Sequence, residues 1–258
     1  MKVDLVLAPN PSLFTGPGTN TWIVSDGGEA VVIDPGPVVA SHREATLAAL
    51  DGLAPVAVLV THTHPDHAPA ANALAAGLGV PAVARMDGPE FTADRTVADG
   101  DTMTVGGLTI EVLATPGHTP DSTCFRIGDR LFTGDHVMGG STVIVDDMAD
   151  YLASLRRLLG IGLKTIHPGH GPVIEDAEAI VSEYVEHRLE REAQILAAVE
   201  RGARTVGEVV ADVYSEVDPA LHPAAAISVD AHLRKLAGEG RVDYSEGENA
   251  WERIVVPA

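Results

Sequence analysis

Apolar and polar residues alternate over positions 3–7, and apolar runs follow at 20–24, 30–33 and 56–60. Alternation marks a strand with one wet face, whereas the unbroken run Val56-Ala57-Val58-Leu59-Val60 marks a strand buried on both faces. Asp26-Gly27-Gly28 separates two of these runs as a hairpin turn, and Asp34-Pro35-Gly36-Pro37 ends the next. Ser41 is the expected N-cap of a helix over 41–50, with Ala45, Leu47, Ala48 and Leu50 on its apolar side. A helix is predicted over 68–76, stopped by Gly77 and Gly79, with a strand over 80–84. Strand-like runs recur at 105–113, 124–127, 131–133 and 165–167, and a helix with Leu152, Leu155, Leu158 and Leu159 on one side is predicted over 151–159. Strands interleaved with helices predict a layered α/β domain over residues 1–175.

The pattern changes after Pro172. Helical periodicity runs over 177–201, 205–214 and 223–237, and strands are predicted at 241–244 and 251–256 around the loop Ser245-Glu246-Gly247-Glu248-Asn249. Three helices followed by a hairpin is the order of a winged-helix module. Residues 176–258 are therefore assigned to a linking helix and a winged-helix-like domain.

Composition narrows the setting. Apolar residues make up 45% of the 258, enough for a substantial core, and the formal charge is −20. Such a field disfavours non-specific contact with nucleic acid or anionic lipid. No run approaches the roughly 18 apolar residues of a membrane span. The N-terminal residues show no apolar leader run, and one cysteine, Cys124, leaves no internal disulfide framework. Together these predict a cytoplasmic protein. Cys124 lies in an alternating strand and is expected to be a buried, inert thiol.

Chemistry concentrates in His62-Thr63-His64-Pro65-Asp66-His67, which directly follows the doubly buried run. Imidazole nitrogen and carboxylate oxygen are ready ligands for zinc and similar ions. Side chains two apart on extended backbone share a side, so His62 and His64 can meet one ion. Pro65 turns the chain, and Asp66 and His67 can begin a second site. His118, Asp135 and His170 also follow strand-like runs and complete the set. One four- or five-coordinate ion cannot use them all, so the ligand count argues for two divalent ions. Zn2+ is the first choice, with Mn2+ or Fe2+ as alternatives. The preferred division gives His62, His64 and His118 to one ion and Asp66, His67 and His170 to the other, with Asp135 bridging. Two such ions can hold a bridging hydroxide and polarise a carbonyl or phosphoryl oxygen. Asp66 is the candidate proton shuttle, so Asp66 and Asp135 are the expected catalytic carboxylates.

Other polar residues carry weaker signals. His42, His187, His222 and His232 read as ordinary polar loop histidines rather than ligands. His136 and His167 stand close enough in sequence to ligands to support them or touch substrate. Asp34 fits two readings, a carboxylate orienting a ligand histidine or a turn residue before Pro35. Asp121 and Ser122 are candidates for supporting the His118 loop, and Asn20, Ser141 and Thr142 for lining a substrate pocket.

The segments Thr61 to His67, Thr115-Pro116-Gly117-His118-Thr119, Thr133-Gly134-Asp135 and Pro168-Gly169-His170-Gly171 resemble the motif series of the metallo-β-lactamase superfamily. The resemblance implies a four-layer αββα sandwich with metals at one edge. Gly18-Thr19-Asn20-Thr21-Trp22, Asp150-Tyr151-Leu152-Ala153-Ser154-Leu155, His187-Arg188 and Ala231-His232-Leu233-Arg234-Lys235-Leu236 are similar to the β-lactamase-like protein 2 family, whose members carry a C-terminal winged helix. That family includes endoribonucleases acting on single-stranded RNA, thioesterases, and chains resembling glyoxalase II. Asp135 stands where the commonest zinc β-lactamases have cysteine, and the length leaves no room for the inserted domain of β-CASP nucleases. Persulfide dioxygenases share the hexapeptide but use a single iron and lack the winged-helix tail. Asp121-Ser122 departs from the run usual in relatives, so the surroundings of His118 are expected to differ.

The resulting expectation is a metal-dependent hydrolase of a small ester or thioester, glyoxalase II-like. The alternatives are an endoribonuclease on single-stranded RNA and, more remotely, a non-enzymatic metal-sensing winged-helix regulator. Charge weighs against RNA. Residues 187–258 carry eight Lys/Arg and thirteen Asp/Glu, a net −5 that gives no clear basic face. The tail is therefore expected to serve packing, as a lid or in a homodimer, while Arg156, Arg157 and Lys164 are the basic residues that could converge near the site.

Overall fold

Alternating burial divides the strands between two facing sheets. The computed structural model describes residues 1–140, 143–245 and 255–257. The first sheet contains β1 (Lys2–Leu7), β2 (Asn20–Asp26), β3 (Glu29–Ile33), β4 (Ala54–Leu59), β5 (Ala82–Ala84) and β6 (Arg95–Thr96), in that spatial order. Helices α1 (Ala40–Ala49) and α2 (Ala71–Leu78) connect its strands from β3 to β5. The second sheet contains β7 (Thr102–Val105), β8 (Leu108–Ala114), β9 (Thr123–Ile127), β10 (Arg130–Gly134) and β11 (Thr165–Pro168), ordered β11-β10-β9-β8-β7. Helix α3 (Met148–Arg157) crosses from β10 to β11, which pair in parallel.

The period of two assigns each residue to a layer. Trp22, Val24, Val31, Ile33 and Leu59 meet Val112, Phe125 and Phe132 between the sheets. Their neighbours Ile23, Val32, Val58 and Val60 point outward onto Leu74 and Ala75 of α2. On the other side, Cys124, Leu131 and Ile166 pack on Tyr151, Leu152 and Leu155 of α3. A one-residue slip in any central strand would exchange these layers, so register is tightly specified. The result is the expected αββα sandwich, and Cys124 is buried within it.

The C-terminal part contains α4 (Ala177–Arg201), α5 (Val206–Val213), a short 3-10 turn (Pro219–Leu221), α6 (His222–Gly238) and the antiparallel pair β12 (Val242–Tyr244) and β13 (Val255–Pro257). Helix α4 belongs to two cores. Ala177, Val181 and Val185 join the α3 layer, whereas Ile195, Ala198 and Val199 pack with Val206, Val229, Leu233 and Val255. Thr205 and Glu208 form a capping box that starts α5.

Several boundaries differ from expectation. Helix α1 starts at Ala40 with Val39 as an N-cap that makes no side-chain bond, so Ser41 lies inside the helix. Helix α2 begins after residue 70 because 64–70 are occupied by turns that carry ligands, including His67 N–H to His64 O at 3.0 Å. It runs through Gly77, and Gly79 closes it at φ +71°. Helix α3 starts at Met148, where the Asp147 side chain accepts from Asp150 N–H. Strand β6 was not expected, and the predicted strand residues 251–254 and hairpin-loop residues 246–249 lie outside the described residues.

The loop bearing His118 leans on α3. Gly117 takes φ +133°, and a Cβ there would stand 2.5 Å from Tyr151 N and Cβ. Its carbonyl accepts Asp146 N–H at 2.8 Å and Asp147 N–H at 2.9 Å. Gly117→Ala is expected to lower stability by about 2 kcal/mol or more through strain and overpacking, read as a drop in the denaturant midpoint. His167 makes the second prediction. Its ring is stacked on Phe132 at 4.7 Å and lies edge-on to Trp22 at 4.9 Å. Burial pushes its pKa down from 6.5 to about 4, so it is neutral in the fold and protonates more readily when unfolded. Stability is then lost as pH falls from 6.5 towards 4, at up to about 1.4 kcal/mol per pH unit. The pH dependence of unfolding in His167→Leu should be shallower than wild type over that window.

Candidate metal centre

All four ligand segments leave the C-terminal ends of strands at one edge of the sandwich: the hexapeptide after β4, His118 after β8, Asp135 after β10 and His170 after β11. Two donor groups result. His62, His64, His118 and Asp135 form one, and Asp66, His67 and His170 the other, with the donor atoms of each within 4.8 Å of one another. His64 Nδ1 lies 3.0 Å from His62 Nε2 and 3.1 Å from His118 Nε2. His67 Nε2 lies 3.3 Å from His170 Nε2, and Asp66 Oδ2 is 3.2 Å from the latter. Asp135 spans both groups: Oδ1 is 3.3 Å from His67 and His170 Nε2, and Oδ2 is 3.7 Å from His118 Nε2.

The outer nitrogens explain why these rings point inward. His67 Nδ1 donates to Asp34 Oδ2 at 3.0 Å, His118 Nδ1 to Ile144 O at 2.6 Å, and His170 Nδ1 to Gly18 O at 3.2 Å. Thr61 Oγ1 gives its proton to Asp34 Oδ2, so it accepts from His62 Nδ1 at 3.1 Å. With Nδ1–H turned outward, each Nε2 presents a lone pair to the cluster. Lone pairs facing one another at such distances need a cation between them. Asp135 Oδ1, buried without a hydrogen-bond donor among the described residues, makes the same demand. The donors therefore fit divalent metal.

The electrostatics agree. Burial pushes His62 well below the usual imidazole range. Burial opposes ionisation of Asp135 as well, but the His67 charge and the polar contacts of His170 and His67 hold its carboxyl well below the usual range. Burial would lower His170, yet Asp135 and Asp66 raise it to about 9. His67 is raised likewise, by Asp135 and Asp34 against burial. The carboxylates thus draw positive charge into the cluster, and protons compete with metal for the inward nitrogens.

Asp34 satisfies both sequence readings. It turns the chain at φ +52° and its carboxylate accepts from Thr61 N–H at 2.8 Å, Thr61 Oγ1 at 2.7 Å and His67 Nδ1. Asp121 Oδ2 accepts Thr63 N–H at 2.8 Å and so steadies the hexapeptide, while Ser122 Oγ bonds Thr119 within the His118 loop. Asn20 is a correction: it is 1% exposed, and its amide donates to Pro168 O and Gly171 O. It holds the His170 loop and lines no pocket at the site. Ser141 and Thr142 lie outside the described residues. His136 is buried against Tyr151 with neither ring nitrogen bonded among the described residues, and burial pushes its pKa down to about 3. Neither it nor His167 joins the donors. Arg157 is committed to Asp99 and Lys164 to Asp129, and among the described residues no lysine or arginine lines the cavity at the site.

That cavity holds ≈ 530 Å³. His64, Asp66, His118, Asp135 and His170 form its floor; Leu13, Phe14, Met138, Ile144, Leu221 and Ala224 form much of its wall. Thr19, unremarked in the sequence as a site residue, donates from Oγ1 to Asp66 Oδ2 at 2.9 Å. The walls come from segments far apart in the chain, and only the apolar pair Leu13-Phe14 within a Pro/Gly-rich loop signalled them.

Comparisons with known proteins agree with this geometry. The metallo-beta-lactamase superfamily matches residues 14–170, and the beta-lactamase associated winged helix domain matches residues 205–251. A protein of Aspergillus chevalieri named atrochrysone carboxyl ACP thioesterase is 35% identical, over 94% of this chain and 83% of its own length. A beta-lactamase-like protein 2 homolog of Drosophila melanogaster is 32% identical over 95% of this chain and 91% of its own. The crystal structure of a metallo-beta-lactamase family protein from Thermus thermophilus shares the fold at a TM-score of 0.81 and 20% identity, covering 99% of this chain and 98% of that one. The chain accordingly belongs to the metallo-beta-lactamase superfamily of hydrolases, in the branch that carries a beta-lactamase-associated winged helix at its C-terminal end.

Proposed function

We propose that this hydrolase cleaves a small ester or thioester with the aid of two divalent ions, Zn2+ in the first instance. The observation that carries the reading is that five of the seven candidate metal donors line a largely apolar cavity with no lysine or arginine among the described residues of its wall. His62, His64 and His118 would hold one ion, Asp66, His67 and His170 the other, and Asp135 both. When bound, such a pair supplies a water acidified from 15.7 towards about 7 and a Lewis acid for the acyl oxygen. The chain's own groups do the rest. Asp34, Ile144 and Gly18 keep the ligand rings aimed, and Asp66, whose side chain is 26% exposed, faces the cavity where it can relay a proton to the departing group. A relative named as a thioesterase supports the acyl reading. A polyanionic RNA finds no lysine or arginine among the described residues of this cavity, and the whole chain carries −20.

Zinc-loaded protein is expected to hydrolyse model esters and thioesters, with kcat/KM falling by at least about 100-fold in His62→Ala and Asp135→Asn. Cleavage of short single-stranded RNA with acyl substrates untouched would overturn the proposal. Elemental analysis should give two ions per chain, and one ion per chain refutes the paired site. Asp34→Asn removes the anion that orients His67. Its metal affinity should fall by about 10- to 100-fold in competition with a chromophoric chelator, while the fold is retained.

A further inference from the structure

The cavity wall is assembled from two remote segments, and both present apolar side chains that the fold does not need for its core. Leu13 and Phe14 are 68% and 58% exposed at the tip of the loop before β2. Scattered exposed apolar residues are ordinary, but these line the same cavity as the metal donors. The loop is braced from within. Asn10 exchanges hydrogen bonds with Thr19, and Thr15 Oγ1 donates to Asn10 O at 2.6 Å. Its last residues touch the ligands themselves, through Thr19 to Asp66 and Gly18 O to His170. Hydrogen bonds thus join wall and floor on this side.

The opposite wall is Leu221 and Ala224, three apart where the 3-10 turn enters α6. Helix α6 is docked on the catalytic layers: Ala231 is buried in the α3 core, and Arg234 Nη2 donates to Asp146 O at 2.7 Å. The ionisable side chains lining the cavity are imidazoles and the carboxylates Asp66, Asp135 and Asp146, with no lysine or arginine among the described residues. The volume of ≈ 530 Å³ falls in the range of roughly 300–1,000 Å³ typical of small-molecule sites.

We infer, resting on the hydrolase reading above, that the residue 9–18 loop and the start of α6 together select the acyl group. The substrate carries an extended or aromatic apolar acyl chain on an uncharged alcohol or thiol. Hydrolysis adds water across the acyl bond, giving the carboxylic acid and the free alcohol or thiol, and no further reactant is needed. The acyl chain lies between Phe14 and Leu221, while a phosphate-bearing carrier finds three carboxylates and no lysine or arginine among the described residues of the wall.

The test compares p-nitrophenyl octanoate with p-nitrophenyl acetate on the metal-loaded full chain. Wild type should favour octanoate in kcat/KM, and the octanoate-to-acetate ratio should fall about tenfold in Phe14→Ser and in Leu221→Ser. Both positions are exposed, so circular dichroism should report an unchanged fold. Octanoyl-N-acetylcysteamine should be hydrolysed with higher kcat/KM than octanoyl-coenzyme A at low salt. An unchanged ratio in both variants, with wild type active on both esters, overturns the acyl wall. Faster turnover of the coenzyme A ester overturns the uncharged carrier. A wild type inactive on every ester and thioester overturns the hydrolase reading itself, and this inference with it.

Discussion

Three hydrogen bonds converge on the Asp34 carboxylate, and the metal centre depends on them. One fixes the backbone of Thr61, one the hydroxyl of Thr61, and one the ring of His67. Through Thr61 the same anion orients His62. Asp34 thus reaches one ligand of each donor group from a single position at the end of β3, 1% exposed and below the ligands it aims. A buried carboxylate is costly unless fully bonded. Here the bonding is complete on the protein side, which leaves the inward nitrogens as the unsatisfied face of the network. The sheets make this possible. β3 and β4 run parallel, so Asp34 and Thr61 leave neighbouring strands in the same direction, 27 positions apart in sequence.

The C-terminal part is bound to this framework by polar contacts that are themselves buried. Arg188 of α4, 3% exposed, donates to Val143 O at 2.7 Å and lies 5.4 Å over the Tyr151 ring. Four residues further along α4, Glu192 meets Lys235 of α6 at 2.9 Å and His232 at 3.4 Å. Replacing both members of such a buried pair by apolar groups is often tolerated, while removing one is expensive. The contribution of these pairs is best described as fixing how α6 lies across α3. That placement is what brings Leu221 and Ala224 to the cavity, so a contact distant from the chemistry shapes what the chemistry can reach.

Much of this was legible in the sequence, and the reason is locality. Hydrophobic period marked the strands, and each ligand segment directly follows one, so the donors could be grouped before any coordinates. The winged-helix order was legible for the same reason. Errors arose where a tertiary contact decides. Asn20 was expected to line a substrate pocket, yet its amide is consumed by the carbonyls of Pro168 at the end of β11 and Gly171 in the loop after it, more than 140 positions away. The start of α2 was placed at 68 rather than 71 because Ala68 and Ala70 suit a helix, whereas the chain is still turning there after the ligand-bearing hexapeptide. His136 and His167 stood near ligands in sequence, but strand alternation in β11 turns His167 between Phe132 and Trp22, and the turn after β10 sets His136 against Tyr151.

Floor and wall of the cavity therefore obey different rules. The floor is built by short motifs at strand ends, where one substitution removes a candidate donor from a cluster whose geometry needs all of them. The wall is built by side chains 207 positions apart, Phe14 and Leu221, which meet no constraint from the core and can change size at little cost in stability. A fold of this kind can keep its donor cluster while the cavity wall changes. Motif resemblance then names the chemistry with ease and the substrate poorly, because the residues that carry the second kind of information lie outside every motif.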